Sequence, residues 1–159
     1  MESEQRSRWI KMLASVFFLG YSPVASGTVG TLGGVFLYLL VQNFVWMQAA
    51  LILVLFFAGV RLCTEAEKAF KERDSHFIVI DEVLGFLITM FGFVHPSWLL
   101  ITIGFFINRA FDICKPYPLR KLEDLRGGWG VMLDDVGAGI YSNILLRVIL
   151  AVLTQTSIL

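Results

Sequence analysis

Five long apolar stretches dominate this sequence and limit the folds that it can adopt. They cover residues 29–45, 46–62, 77–94, 97–113 and 131–153. A helix that crosses a bilayer needs about 20 apolar residues, with a range of about 17–25, so several of these stretches lie at the short end. The composition agrees, because 57% of the residues are hydrophobic and only 16% are charged. The sequence therefore predicts an all-α, membrane-embedded bundle of about five apolar helices.

The segments outside these stretches predict one further helix and no second domain. Residues 9–20 are too short to cross a bilayer and follow Arg6 and Arg8, which favours a helix lying in the membrane interface. No Pro/Ser-rich linker, internal repeat or low-complexity tract divides the chain, so we expect a single domain over residues 1–159. The formal net charge of zero gives no argument for a nucleic-acid partner. Nothing in the sequence indicates an oligomeric state.

The distribution of Lys and Arg predicts how the bundle is oriented. These residues collect before residue 12, between residues 61 and 73 and between residues 115 and 126, and the loops near residues 42–43 and 95–96 have none. Short loops rich in Lys and Arg stay in the cytoplasm, so the three basic segments are assigned to that side. Arg147 would lie towards the opposite side, where we expect its side chain only to snorkel to the interface.

Five carboxylates lie within or beside the apolar stretches, where acids are rare unless they bind a metal, transfer a proton or meet a charged ligand. They are Asp81, Glu82, Asp112, Asp134 and Asp135. Structural interpretations exist for single members, because an acid pair at a helix start complements the helix dipole and Asp112 can pair with Arg109 or Lys115. Five alternating helices bring all five acids to the cytoplasmic ends. As a set they favour a Mg²⁺ site, because Mg²⁺ binds carboxylate oxygens together with substrate phosphate oxygens.

Other residues near these acids favour a phosphate ligand. Arg109 and Lys115 supply positive charge. The backbone amides of Gly27, Thr28 and Gly30 lie at a predicted helix start, where N–H groups bind anions. Phosphate-ester hydrolysis is among the slowest uncatalysed reactions, so we expect a metal together with either an activated water or an aspartate as nucleophile.

Four motifs, in this order along the chain, resemble the phosphatidylglycerophosphatase A family. They are SPVASGTVGT, VIDEVLGFLIT, RAFDICKPYPLR and GGWGVMLDDVGAGIYSN, and the resemblance covers residues 20–143. It implies a Mg²⁺-dependent bacterial membrane phosphatase that converts phosphatidylglycerophosphate to phosphatidylglycerol in phospholipid biosynthesis. Together with the distribution of basic residues, it implies a multi-pass protein of the bacterial cytoplasmic membrane with its active site on the cytoplasmic side.

The resemblance also implies which residues form the site. The five acids match motif positions of the family and are the expected metal ligands and catalytic residues, together with Lys115. The expected phosphate-binding residues are Gly27, Thr28, Gly30, Arg109 and Lys115. The family usually has Pro-Gly-Thr where this chain has Ser26-Gly27-Thr28, so the loop lacks the φ restriction of a proline.

Three rival functions fit the sequence less well. Cys114 and Arg120 have the C-x5-R spacing of cysteine-dependent phosphatases, but two of the five intervening residues are prolines without an N–H group. We expect Cys114 to be a small buried side chain instead. A cation or proton transporter is the alternative function, although its acids would lie near the membrane midplane rather than at helix ends. A CDP-alcohol phosphotransferase would need a D-G-x-x-A-R…G…D…D pattern, which we do not find.

Overall fold

The chain is helical throughout the part that the structure describes. The computed structural model describes residues 2–156 and contains no strand in that range. The helices are α1 Glu2–Ala14, α2 Ser26–Val41, α3 Val45–Phe70, α4 Ile80–Thr89, α5 Trp98–Cys114, α6 Leu119–Glu123 and α7 Gly128–Thr156. A 3-10 turn, Leu19–Tyr21, lies between α1 and α2. The predicted all-α fold is confirmed.

The helices long enough to cross a membrane are fewer than the sequence predicted. Among the described residues, Val45–Phe70 and Gly128–Thr154 are sufficiently long and apolar. The other three apolar stretches form α2, α4 and α5, which have 16, 10 and 17 residues. Helix α4 is short because Gly92 and His95 beyond it have φ values of 82° and 49°, which a right-handed helix cannot contain. Among the described residues, the structure therefore has two helices of full crossing length, whereas the sequence predicted about five.

The N-terminal helix lies earlier in the chain than predicted. It covers Glu2–Ala14 rather than residues 9–20. The chain then turns sharply, because Val16, Phe17 and Phe18 have φ values of 48°, 53° and 71°. Helix α1 packs against α3, and the Val79 N–H donates to the Ala14 carbonyl at 3.1 Å. This bond ties the segment that leads into α4 to the end of α1.

Helix α4 is the most deeply buried element. Eight of its ten residues are buried, and it packs mainly against α2 and α7. Glycines on both neighbours allow this close approach. A side chain at Gly34 would come within 2.9 Å of Phe86 Cβ, and one at Gly139 within 2.9 Å of Ile88 Cβ. Small residues let membrane helices pack at short distances, and here they enclose α4.

Polar side chains bind the backbone where α4 ends. Asn143 Nδ2 donates to the carbonyls of Ile88, Thr89 and Phe91 at 3.2, 2.9 and 2.9 Å. Arg147 Nη2 donates to the same Phe91 carbonyl at 2.9 Å. Irregular backbone is tolerated at membrane depth only where the protein or a water-filled cavity satisfies its polar groups. Arg147, for which the sequence predicted only snorkelling, therefore has a structural role as a cap of α4.

Candidate active site

One open cavity brings the predicted acids together. It has a volume of about 460 Å³ and is lined by all five acids, by Arg109 and by Lys115. The acids come from the first turn of α4, the last turn of α5 and a point about two turns into α7. Ser26 and Gly27, the first two residues of α2, form another part of the wall. Four helices thus deliver residues that are distant in the sequence to one place.

Three of the acids form a compact cluster. One oxygen each from Asp112, Asp134 and Asp135 lies within 4.8 Å of the others. Asp134 and Asp135 are 5% and 3% exposed, and Oδ1 of each has no hydrogen-bond partner among the described residues. Buried carboxylates at this distance repel one another unless a cation neutralises them. Three neighbouring carboxylates, two of which keep an unpaired oxygen, fit a hard divalent cation such as Mg²⁺.

The other two acids, Asp81 and Glu82, lie outside this cluster in the first turn of α4. Asp81 is 6% exposed, and in the described part of the chain Asp81 Oδ1 and Glu82 Oε2 accept no hydrogen bond. The preceding Val79 provides no side-chain cap for α4. Both acids therefore also complement the positive end of the helix dipole. The structure divides the five acids into a cluster of three and a pair.

Arg109 and the start of α2 lie beside this pair. Arg109 Nη1 forms an ion pair with Asp112 Oδ2 at 2.7 Å, one of the two pairings that the sequence spacing allowed. A side chain at Gly27 would contact Glu82 and come within 2.9 Å of Arg109 Nη2. The N–H groups in the first turn of a helix have no partner within it. Glycine at this position leaves the start of α2 open towards the guanidinium, an arrangement suited to a phosphate.

Lys115 contacts the acid cluster through Asp134. It ends α5 with a φ of 41°, and its N–H donates to the Phe111 carbonyl at 2.8 Å. Its Nζ pairs with Asp134 Oδ2 at 2.6 Å and with Glu123 Oε2 at 3.2 Å. Burial acts to lower the pKa of Lys115, but its hydrogen bonds to Asp134 and Glu123 outweigh burial and raise that pKa above its usual value. Lys115 is therefore a stable cation next to the cluster.

Two predicted phosphate-binding residues do not line the cavity. Thr28 and Gly30 lie in the first turns of α2 but outside the cavity wall. A side chain at Gly30 would come within 2.7 Å of Val79 Cβ. This glycine therefore lets α2 pack closely against the segment that precedes α4. Phosphate binding by Thr28 and Gly30 stays a prediction.

The loop before α4 contributes cavity residues that are not among the predicted site residues. They are Asp74, Ser75 and His76. Asp74 is exposed at the surface, but the protein around it partly desolvates the carboxyl and raises its pKa above the usual value, against the opposing charge of Lys115 and with a smaller contribution from Glu123. Asp74 belongs to a run of charged residues between 65 and 74, and no spacing or motif distinguishes it from its neighbours. Only the path of the loop over the cavity shows that it belongs to the site.

Cys114 lies apart from this chemistry. It is exposed and is not part of the cavity wall. The prediction that it is buried is wrong, because the end of α5 presents Asp112 and Lys115 to the cavity and leaves Cys114 at the surface. A phosphate bound between the acids and Arg109 would not meet this thiol, which argues against a cysteine nucleophile.

Most of the chain matches a known protein family. The sequence model of the family described as phosphatidylglycerophosphatase A matches residues 12–150. The chain belongs to the phosphatidylglycerophosphatase A family. The matched range contains every residue that lines the acid cavity. The site is therefore built from the part of the chain that the family shares.

Curated relatives resemble the chain over most of its length. A phosphatidylglycerophosphatase A from Escherichia coli is 35% identical over 82% of this chain and 77% of its own length. One from Haemophilus influenzae is 35% identical over 85% of each chain. A Bacteroides thetaiotaomicron protein, provisionally named a phosphatidylinositol-3-phosphatase, is 37% identical over 86% of this chain and 91% of its own length. No solved structure matches the chain.

Proposed function

We propose that this member of the phosphatidylglycerophosphatase A family removes the terminal phosphate of phosphatidylglycerophosphate and so produces phosphatidylglycerol. The observation that carries the chemistry is the cluster of Asp112, Asp134 and Asp135 oxygens within 4.8 Å of one another, in a cavity that also contains Arg109 and Lys115. The choice of lipid rests on the family and on the names of its E. coli and H. influenzae members.

We assign Mg²⁺ to the acid cluster. Asp112, Asp134 and Asp135 are the acids close enough to share one ion, and Asp81 and Glu82 in the same cavity complete the predicted set of ligands. When bound, Mg²⁺ supplies positive charge for the phosphate oxygens and lowers the pKa of water. The unpaired buried oxygens of Asp81, Glu82, Asp134 and Asp135 support the assignment, because a buried ionised carboxylate without a partner is strongly destabilising.

The side chains around the cluster would bind and orient the phosphate. Arg109 and the backbone N–H groups at the start of α2, including that of Gly27, offer hydrogen-bond donors to the phosphate. Lys115 holds Asp134 in place through its 2.6 Å ion pair. Asp81 and Glu82 each offer a free oxygen for one of two roles, either as the base that accepts the proton of an attacking water or as the nucleophile at phosphorus. With water as the overall reactant, the products are the lipid alcohol and inorganic phosphate.

We place the site on the cytoplasmic side of a multi-pass protein in the bacterial cytoplasmic membrane. The basic segments at residues 61–73 and 115–126 lie next to cavity-lining residues in the sequence. They support this orientation, because short basic loops stay in the cytoplasm. Asp134 lies six residues beyond the start of α7, which is about 9 Å along a helix that rises 1.5 Å per residue. The acid cluster would therefore lie close to the membrane surface, where the phosphate of a lipid headgroup can reach it. We propose that α2 and α5 cross the membrane beside α3 and α7, and that residues 77–94, which contain the short helix α4, form the fifth crossing.

Labelling of single cysteines tests this orientation. Cysteines at the exposed positions Lys71 and Arg126, in a background without Cys63 and Cys114, should react with an impermeant reagent only from the cytoplasmic side. A cysteine at the exposed position His95 should react only from the opposite side. If the cysteines at positions 71 and 126 are labelled from opposite sides of the membrane, the proposed arrangement is wrong.

Phosphate release by the purified protein tests the activity. We expect release from phosphatidylglycerophosphate that stops in EDTA and returns with Mg²⁺. Phosphatidylinositol-3-phosphate serves as the competing substrate, because a relative carries that name. Preference for the inositol lipid would reassign the substrate. Full activity in EDTA would refute the requirement for a metal but not the phosphatase activity. No release from either lipid in Mg²⁺ would refute the phosphatase.

A further inference from the structure

A buried amide on α5 has no partner in the fold. Asn108 is 1% exposed, and neither its Nδ2 nor its Oδ1 forms a hydrogen bond with any described residue. An amide buried in this way loses its bonds to water and gains none in return, which is unfavourable. Native structures rarely keep such a group without a ligand, a water or a functional reason.

The position of Asn108 points to the acid cluster. It precedes Asp112 by four residues on α5, so the two side chains share one face of the helix. A side chain at Gly85 would come within 3.2 Å of Asp135 Oδ1 and within 3.5 Å of Asn108 Nδ2. The amide donor of Asn108 and the carboxylate of Asp135 therefore border the same space, which glycine leaves open on α4.

Both of these atoms lack a partner. Asp135 Oδ1 is a buried acceptor without a hydrogen bond, and Asn108 Nδ2 is a buried donor without one. Carboxylates that bind metals are commonly held by a hydrogen bond to their other oxygen, and loss of such a bond typically weakens metal binding by about 10- to 100-fold. Asparagine suits this task, because its amide donates without adding a further negative charge to the cluster.

We propose that Asn108 is a positioning residue for the metal site: when the ion is bound, its Nδ2 donates to Asp135 Oδ1 and leaves the second oxygen of that carboxylate for the ion. This inference rests on the proposed Mg²⁺ site at Asp112, Asp134 and Asp135. It assigns to Asn108 a role that none of the sequence motifs indicated.

The test replaces Asn108 with an apolar residue of similar size, Asn108→Leu. Two readouts are measured on the full-length protein in detergent: Mn²⁺ binding by electron paramagnetic resonance, and the thermal midpoint in EDTA. We expect Mn²⁺ binding to weaken about 10- to 100-fold. The thermal midpoint in EDTA should stay the same or rise, because the amide has no partner in the metal-free structure and an apolar group replaces it.

Asn143→Leu is the matched control. Asn143 is also an asparagine between helices, but its amide donates to three carbonyls at the end of α4. Its replacement should lower the thermal midpoint and leave Mn²⁺ binding unchanged. A purely structural role for Asn108 predicts this same pattern for Asn108→Leu.

Mn²⁺ binding by Asn108→Leu at wild-type strength would overturn the inference. If the leucine variant does not fold, Asn108→Met provides the same measurement with a more adaptable side chain. Asp135→Asn separates this inference from the proposed function. Loss of Mn²⁺ binding in Asp135→Asn but not in the Asn108 variants would refute the role of Asn108 alone, whereas a wild-type protein that binds no Mn²⁺ would refute the metal site and the inference together.

Discussion

The ion pair between Lys115 and Asp134 provides a quantitative test of the site. We consider Lys115→Met, which keeps a long unbranched side chain and removes the charge. The substitution leaves Asp134 buried beside Asp112 and Asp135 without its nearest cation. We therefore expect the protein to lose stability when no divalent metal is present, and to recover part of it in Mg²⁺, since the ion compensates the same carboxylate.

The size of the loss follows from the burial of the pair. Removing one partner of a buried ion pair costs about 3–5 kcal/mol. The side chain of Asp134 is 5% exposed and that of Lys115 is 20% exposed, so we reduce the expected loss to about 2–4 kcal/mol to allow for access of water. The second partner, Glu123, is 40% exposed, and its pair adds at most about 1 kcal/mol.

Lys68→Met is the matched control for this experiment. Lys68 Nζ pairs with Glu65 Oε1 at 2.7 Å, a similar distance, but the two side chains are 68% and 37% exposed. Its loss should not change stability measurably. The free energy of unfolding is measured by reversible unfolding in mixed micelles, in EDTA and in Mg²⁺. The reasoning fails if Lys115→Met and Lys68→Met unfold with the same free energy in EDTA.

Three further predictions concern the acids, the thiol and the loop. Replacing Asp112, Asp134 or Asp135 by asparagine should lower turnover by at least about 100-fold while the protein still inserts into membranes, which phosphate release and membrane fractionation measure. Near-normal turnover in most of these variants would contradict a shared site. Cys114→Ser should retain activity that EDTA abolishes; an inactive serine variant, together with wild-type activity that EDTA does not change, would assign catalysis to the thiol. Asp74→Asn should stabilise the fold at neutral pH, because the native state raises the pKa of Asp74 and therefore disfavours its ionised form. Unfolding measured against pH should show this gain disappear as the pH falls below the usual pKa of an aspartate, and a gain that persists there would contradict the assignment.

The sequence was sufficient to predict the helical class and most of the candidate site. The apolar stretches indicated helices because their length and composition are local properties of the chain. Asp81, Asp112 and Asp134 stood out because acids are uncommon in such surroundings. Asp74 and Asn108 did not stand out, because a charged residue in a charged loop and one asparagine in an apolar helix have ordinary local contexts.

The tertiary structure alone decided how these residues are paired. The sequence spacing allowed Asp112 to pair with either Arg109 or Lys115, and both pairings are local. In the fold Asp112 takes Arg109, and Lys115 reaches 19 residues along the chain to Asp134. The sequence likewise treated the five acids as one set, whereas packing separates the pair on α4 from the cluster shared by α5 and α7. Local spacing determines which side chains share a helix face, but the close approach of α4, α5 and α7 through Gly85 and Gly139 determines which of those faces meet.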